Sequence, residues 1–205
     1  MNKFESLSEI IRSRRSIRSF RSDPVNPEII EKIIESAVFA PSNNNRQGWK
    51  FYIITNKEIK KKIISDVEKE LGEIDGKSEV IDEVMKSYKA NFLVFKNAPI
   101  LLIACHIKPN KFNFRLFETD DSNRHFTGEL ISTTLAVGNI MLLAEAQNIG
   151  TLLMTAPLIA ADRIKKTLKI PGKYSISSFL CLGYYNKKPP TPERKSLSKI
   201  TEFIN

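Results

Sequence analysis

The chain has 205 residues, 41% of them hydrophobic and 27% charged, which excludes a disordered chain and allows a core built without disulfides or metals. Its two cysteines, Cys105 and Cys181, each sit inside an apolar run, PILLIACHI and ISSFLCLGYY, and are expected to be buried thiols in a reducing compartment rather than a disulfide. The net charge of +9 collects at the ends: residues 1–21 hold six basic and two acidic side chains, residues 187–205 five and two, so a fold that joins the ends makes one anion site.

In chain order, Phe4, Leu7, Ile10 and Ile11 predict a short amphipathic helix. It runs into SRRSIRSF, residues 13–20, where Arg12, Arg14, Arg15, Arg18 and Arg21 fall within ten residues. Such a run reads as a solvated face, a nucleic-acid patch or a grip on something anionic. Asn26 and Pro27 suit the N-cap and first position of a second helix, with Ile29, Ile30, Ile33, Ile34, Ala37 and Val38 as its stripe and Pro41 as its end. SNNNRQG, residues 42–48, reads as a polar loop, and WKFYIIT as a strand.

Residues 57–70 and 80–95 predict helices, with GEIDGKSE (72–79) as the loop between them. ILLIACHI, residues 100–107, predicts a strand buried on both faces. Residues 108–127 are irregular and aromatic-rich, a lid or interface insert in which Phe112, Phe114 and Phe117 either line a pocket or pack at an interface. Residues 129–147 predict a helix apolar nearly all round, in the middle of the fold, with Gly150 at its C-cap. Asn139 and Glu145 within that segment argue against a membrane span. TLLMTAP reads as strand or turn, AADRIKKTLKI as a helix whose Lys165, Lys166 and Lys169 are solvated, and SISSFLCLGYY as the last core strand. No apolar stretch of the signal-peptide kind occupies residues 1–20, so a cytoplasmic protein is expected. The whole reads as one α+β domain, residues 1–205, whose Pro- and Lys-rich tail, 187–205, either dangles or docks.

The missing motifs narrow the chemistry. Neither G-x-G-x-x-G after a strand nor G-x-x-x-x-G-K-[ST] occurs, so a bound phosphate must be held by arginine forks. His106 and His125 stand outside any ligand-spaced cluster, which predicts no metal, and His106 reads as a satisfied residue at a strand end. With no G-x-S-x-G and no evident base near either cysteine, an enzyme of this sequence borrows its chemistry from an organic cofactor.

Three segments in order, RRSIRSF, APSNNNRQGWKFYII, and NIGTLLMTAP through IKKTLKIPGKY to FLCLGYYNKKPPTPERKSL, resemble the FMN-dependent nitroreductase family. The resemblance covers the chain outside roughly 65–95 and 106–127. It implies a mixed, mainly antiparallel sheet flanked by helices, and an intertwined homodimer with FMN at the interface. It also implies NADH or NADPH as donor and a small-molecule electron acceptor, either a nitroaromatic or quinone or the substrate of another flavin reaction such as dehalogenation.

By position, Arg14, Arg15 and Ser16 would contact the FMN phosphate and ribityl chain, and Arg18 the N1/O2 side of the ring, where positive charge stabilises reduced flavin. Pro41, Ser42, Asn43 and Asn45 would reach the other subunit's FMN. The amides of Thr155 and Ala156 would lie near N5 and O4, and Arg194 with Lys195 would close on the phosphate from a tail docked on the partner. Gly48 stands where many members have Pro, which implies a looser loop. Thr155-Ala156 replaces Gly-Gly, which narrows the space over the ring, and Pro192 replaces a lysine. The rival reading of the basic ends is a nucleic-acid-binding module. The aromatics fall mostly within apolar runs, so neither nucleic acid nor membrane is the expected partner.

Overall fold

The computed structural model describes residues 2–74, 90–108 and 128–204. A four-stranded antiparallel sheet organises them, with β1 Trp49–Ile54, β2 Ile100–Ile107, β3 Gly150–Met154 and β4 Tyr174–Gly183 in the order β1-β2-β4-β3. Ser16 adds a parallel bridge to Thr151 on the free edge of β3, secured by Ile17 N–H donating to the Thr151 carbonyl at 2.9 Å. The sheet is therefore mainly antiparallel and mixed only at that edge.

Side chains alternate across a strand, and β2 uses both faces. Leu101, Ile103 and Cys105 join a core with Ile63, Val67 and Leu71 of α3 (Lys57–Ile74) and Ile164 of α5 (Ala161–Thr167). Ile100, Leu102 and Ala104 face the opposite way, against Ile30, Ile33 and Ala37 of α2 (Pro27–Ala37) and Val137, Ile140 and Ala144 of α4 (Gly128–Ala146). Helices thus cover both faces, which is why ILLIACHI is a continuous apolar run. Cys105 and Cys181 are both buried and free, and burial pushes each thiol up to about 12.

Four expectations change. Helix α3 continues through Gly72 to Ile74, because Leu71 extends the buried stripe of Ile63 and Val67 by another turn; residues 75–79 of the expected loop lie outside the described residues, as does most of the helix expected over 80–95. That helix ends at residue 92 and tightens into a 3-10 turn, Val94–Asn97. Gly150 is not the C-cap of α4. Asn148, at φ 55°, takes the left-handed position after the helix, and Ile149 N–H returns to the Ala144 carbonyl. Gly150 instead opens β3, where a Cβ would stand 2.6 Å from Tyr185 Cδ1 and 2.7 Å from Ile17 Cγ1. Finally, α4 is packed on only part of its circumference. It is the one helix among the described residues long and apolar enough to cross a membrane, yet it lies between α2 and the sheet and leaves Ile131 and Leu135 exposed.

The first helix, α1 (Lys3–Ser13), forms as predicted, with Asn2 and Glu5 making a capping box. Its apolar face is uncovered: Phe4 is 79% exposed and Leu7 and Ile11 each 52%.

Candidate functional site

The arginine run begins where α1 stops. Ser13 ends the helix, Arg14 caps it in extended backbone, and the next residues turn onto the edge of β3. Arg14 is half-buried, and its Nη1 is enclosed with no hydrogen-bond partner. Thr151 Oγ1, opposite Ser16, is likewise buried and unpartnered. Arg15 is held in place: Nη1 donates to the carbonyls of Arg12 and Arg14 at 2.6 Å each, and Nη2 donates to Thr191 Oγ1. Arg18 is exposed. Arg21 is neutralised by Asp23, 2.8 Å away, and that bond raises its pKa.

The fold brings the two basic ends of the chain together. Glu145, near the end of α4 and 8% exposed, accepts from Ser13 Oγ at 2.7 Å and from Lys188 Nζ on the same oxygen, Oε1. Burial opposes the charge on Lys188, but its bond and attraction to Glu145 outweigh this and raise its pKa. Thr191 with Arg15 forms a second link. Beyond it the tail is exposed, and Arg194 donates to the carbonyls of Pro192 and Glu193 at 3.4 Å. Arg194 and Lys195 are therefore not drawn into the arginine run within one chain.

Thr155 and Ala156 follow β3 directly, at the start of the 3-10 turn Ala156–Ala160. From Thr151, opposite Ser16, to Thr155 is four residues of strand-like rise, about 13 Å. Arg14, Arg15, Ser16, Thr155 and Ala156 thus share one sheet edge.

Pro41, Ser42, Asn43 and Asn45 do not join them. They precede β1, at the opposite edge. Their loop is a 3-10 turn, Asn43–Asn45, with Asn44, Asn45 and Gln47 at φ near +50°, a region asparagine tolerates better than most residues. Ser42 Oγ accepts from Gln47 N–H at 3.1 Å. Helix α4 fixes the loop, as Ser132 Oγ accepts from Asn43 N–H at 3.1 Å and Asn139 Nδ2 donates to the Ala37 carbonyl at 3.3 Å.

The loop is also not loose at Gly48. Glu129, 1% exposed, lies against it, and a Cβ on Gly48 would stand 2.5 Å from Glu129 Oε2 and 2.7 Å from Ile107 Cγ2. Arg46 Nη1 is 3.2 Å from Glu129 Oε1, an ion pair whose angle falls short of a hydrogen bond, so both carboxylate oxygens remain without one.

Sequence reasoning missed Glu129 and Glu145 as structural partners. The signal was there: a carboxylate inside an otherwise apolar helix implies a buried cation or hydroxyl nearby. It also missed a cleft of about 600 Å³ lined by Lys57, Lys60, Lys61, Lys96, Val25 and Ile100, among others. Buried Lys60 donates to the carbonyls of Ala98 and Pro99 there, and burial lowers its pKa. None of the expected site residues lines that cleft. His106 is satisfied as expected, sharing a 2.7 Å hydrogen bond between Nδ1 and Ser177 Oγ; burial lowers its pKa. Among the described residues no cluster of three His, Cys, Asp or Glu is placed to hold a metal. The insert at 109–127, with Phe112, Phe114, Phe117 and His125, lies outside the described residues.

A family model described as "Nitroreductase family" matches residues 11–184. The chain belongs to the nitroreductase family. A curated relative, "Iodotyrosine dehalogenase 1 homolog" of Caenorhabditis elegans, is 32% identical over 95% of this chain, which spans 60% of that protein's length. A BluB-like flavoprotein from Clostridium difficile 630 superposes with a TM-score of 0.85 at 26% identity, covering 97% of this chain and 99% of that one. An iodotyrosine deiodinase solved with FMN and 3-iodo-L-tyrosine shares the fold, with a TM-score of 0.70 at 22% identity over 93% and 96% of the two chains. The nitroreductase-family match ends at Tyr184, so the basic tail lies beyond it.

Proposed function

We propose that this protein is an FMN-dependent oxidoreductase that takes electrons from NADH or NADPH and passes them, in ping-pong order, to a nitroaromatic, quinone or similarly electron-poor small molecule. Arg14 carries the reading. A buried guanidinium N–H without a partner is costly, and an anion at that point satisfies it with a charge-assisted bond. The first residues of the second basic end, Lys188 and Thr191, are pinned beside it. FMN, when bound, supplies hydride acceptance and onward electron transfer at one face of its ring.

The chain's own residues bind and orient. Arg14, Arg15 and Ser16 hold the phosphate and ribityl chain, and Arg18 sets positive charge at the N1/O2 side. The amides of Thr155 and Ala156 serve N5 and O4 further along the same edge. Arg194 and Lys195 close on the phosphate only if the tail docks. Pro41, Ser42, Asn43 and Asn45 act on the cofactor of a second copy, which makes the working unit a homodimer of one-domain chains, 1–205. Two features support it: the opposite-edge placement of that loop, and the uncovered apolar residues Phe4, Leu7, Ile131, Leu135, Phe203 and Ile204. Two free buried thiols suit the reducing cytoplasm.

A second reading, reductive dehalogenation of an aromatic substrate, is favoured by the curated relative at 32% identity, itself named a dehalogenase homolog. One series of spectra tests both. Purified protein mixed with FMN and desalted retains a yellow flavin spectrum, NADH or NADPH bleaches it anaerobically, and a nitroaromatic or a halogenated phenol restores it. Recovery with only the halogenated phenol selects dehalogenation. Failure to retain FMN refutes both.

A further inference from the structure

Glu145 touches no expected cofactor contact, yet both basic ends of the chain meet on its carboxylate. Its Oε1 receives Ser13 Oγ from the N-terminal side and Lys188 Nζ from the C-terminal side. Ser13 immediately precedes Arg14, whose Nη1 is buried and unpartnered. Three residues beyond Lys188, Thr191 accepts from Arg15. The segments 13–15 and 188–191 are thus stitched twice, and Glu145 is the only carboxylate in either stitch. Arg14, Arg15 and Lys188 bring positive charge to this junction, and the buried carboxylate offsets part of it before any ligand arrives. Tyr185, between the end of β4 and Lys188, leans on Gly150 and places its ring 5.9 Å from Lys188 Nζ, so the second segment starts from a fixed point.

We propose that Glu145 is a positioning residue for anion binding: it clamps Ser13 and Lys188 so that Arg14 and Arg15 are preorganised, and through it the first residues of the tail act on the cofactor site without touching the cofactor. The proposal rests on the FMN reading for its ligand, but not for its mechanics. Preorganised cations bind more tightly because less ordering remains to be done on binding.

The test is a double-mutant cycle of Glu145→Gln and Lys188→Met, read by quenching of FMN fluorescence and by urea unfolding. Each single change weakens FMN roughly tenfold, the loss expected for one charge-assisted hydrogen bond. The double variant weakens it no further than either single, because both remove the same clamp. A merely structural role lowers the urea midpoint and leaves FMN affinity within twofold, and that result overturns the proposal while the FMN reading stands. Additive losses also overturn it. If Glu145→Gln does not fold, Ser13→Ala takes its place in the cycle. If the unmutated protein binds no FMN, the FMN reading has failed, and amide hydrogen exchange decides the clamp. Faster exchange at residues 13–16 and at Lys187 and Thr191 together in Lys188→Met upholds it, and unchanged exchange ends it.

Discussion

Gly48→Ala separates two accounts of the loop before β1. Gly48 does not occupy left-handed backbone, so by conformational entropy alone alanine stabilises by about 0.4–1 kcal/mol. Packing predicts the opposite sign. The new Cβ meets Glu129 Oε2 at 2.5 Å and Ile107 Cγ2 at 2.7 Å; Glu129 is 1% exposed and has little room to move, and the half-buried Ile107 is tethered through its N–H, bonded to the Gly48 carbonyl at 2.7 Å. Overpacking of this kind costs about 1–3 kcal/mol. The net expectation is a destabilisation of about 1–2 kcal/mol, or a Tm lower by about 2–8 °C for a domain of this size. Circular dichroism melting reads it globally, and the fluorescence of Trp49, the only tryptophan, reads it beside the mutation. In a Glu129→Ala background the cost shrinks to the Ile107 share. A stabilised Gly48→Ala, or an unchanged cost without Glu129, refutes the packing argument.

Arg18→Ala slows flavin reduction by NAD(P)H in stopped-flow more than it weakens FMN binding, since its charge is assigned to the reduced ring; equal effects remove that role. Cys105 and Cys181 stay unreactive to a thiol reagent at pH 8 until denaturant is added, when two thiols titrate; because their folded pKa values of about 12 lie above the unfolded value, their contribution to stability is full below pH 9 and is lost as pH rises from 9 towards 12. His106 has the reverse sense for a base: its folded pKa is depressed by burial, so stability present above about pH 6.5 falls as pH drops through that window, and His106→Gln flattens the slope in urea midpoints measured across it.

The fold was legible wherever one residue pattern met one environment. ILLIACHI announces a doubly buried strand because Leu101, Ile103 and Cys105 face one layer and Ile100, Leu102 and Ala104 the other. Asn26-Pro27 announces a helix start because cap and first position have strict backbone needs. Misreadings came where two signals competed. Gly72 suggested a break, but the stripe of Ile63, Val67 and Leu71 carries the helix past it. Gly150 suggested a cap, but Asn148 already supplies the left-handed residue, and Gly150 is small because Ile17 and Tyr185 crowd it. The arginine run was visible as chemistry, whereas its clamp was not. Glu145 stands 132 residues from Ser13 in sequence, and no local pattern links them.

The placement of the expected site residues also makes a quantitative demand on assembly. Helix α4 acts as a ruler between them: Ser132 holds the Asn43 loop and Glu145 holds the arginine run, thirteen residues apart, or about 20 Å along a helix. The loop and the run sit at opposite ends of one helix and at opposite edges of one sheet, so a single chain does not close them on one small cofactor. In the proposed homodimer two chains related by a two-fold axis would, with each cofactor taking Arg14 from one and Asn43 from the other. Complementation distinguishes the cases. An Arg14→Glu chain and an Asn43→Arg chain each form homodimers that bind little FMN. In a mixed dimer, shared sites leave one position with both residues intact, and FMN binds at one per two chains. Sites built within single chains leave none intact, so mixed dimers that stay empty, confirmed as mixed by differential tags and mass, rule out the shared site.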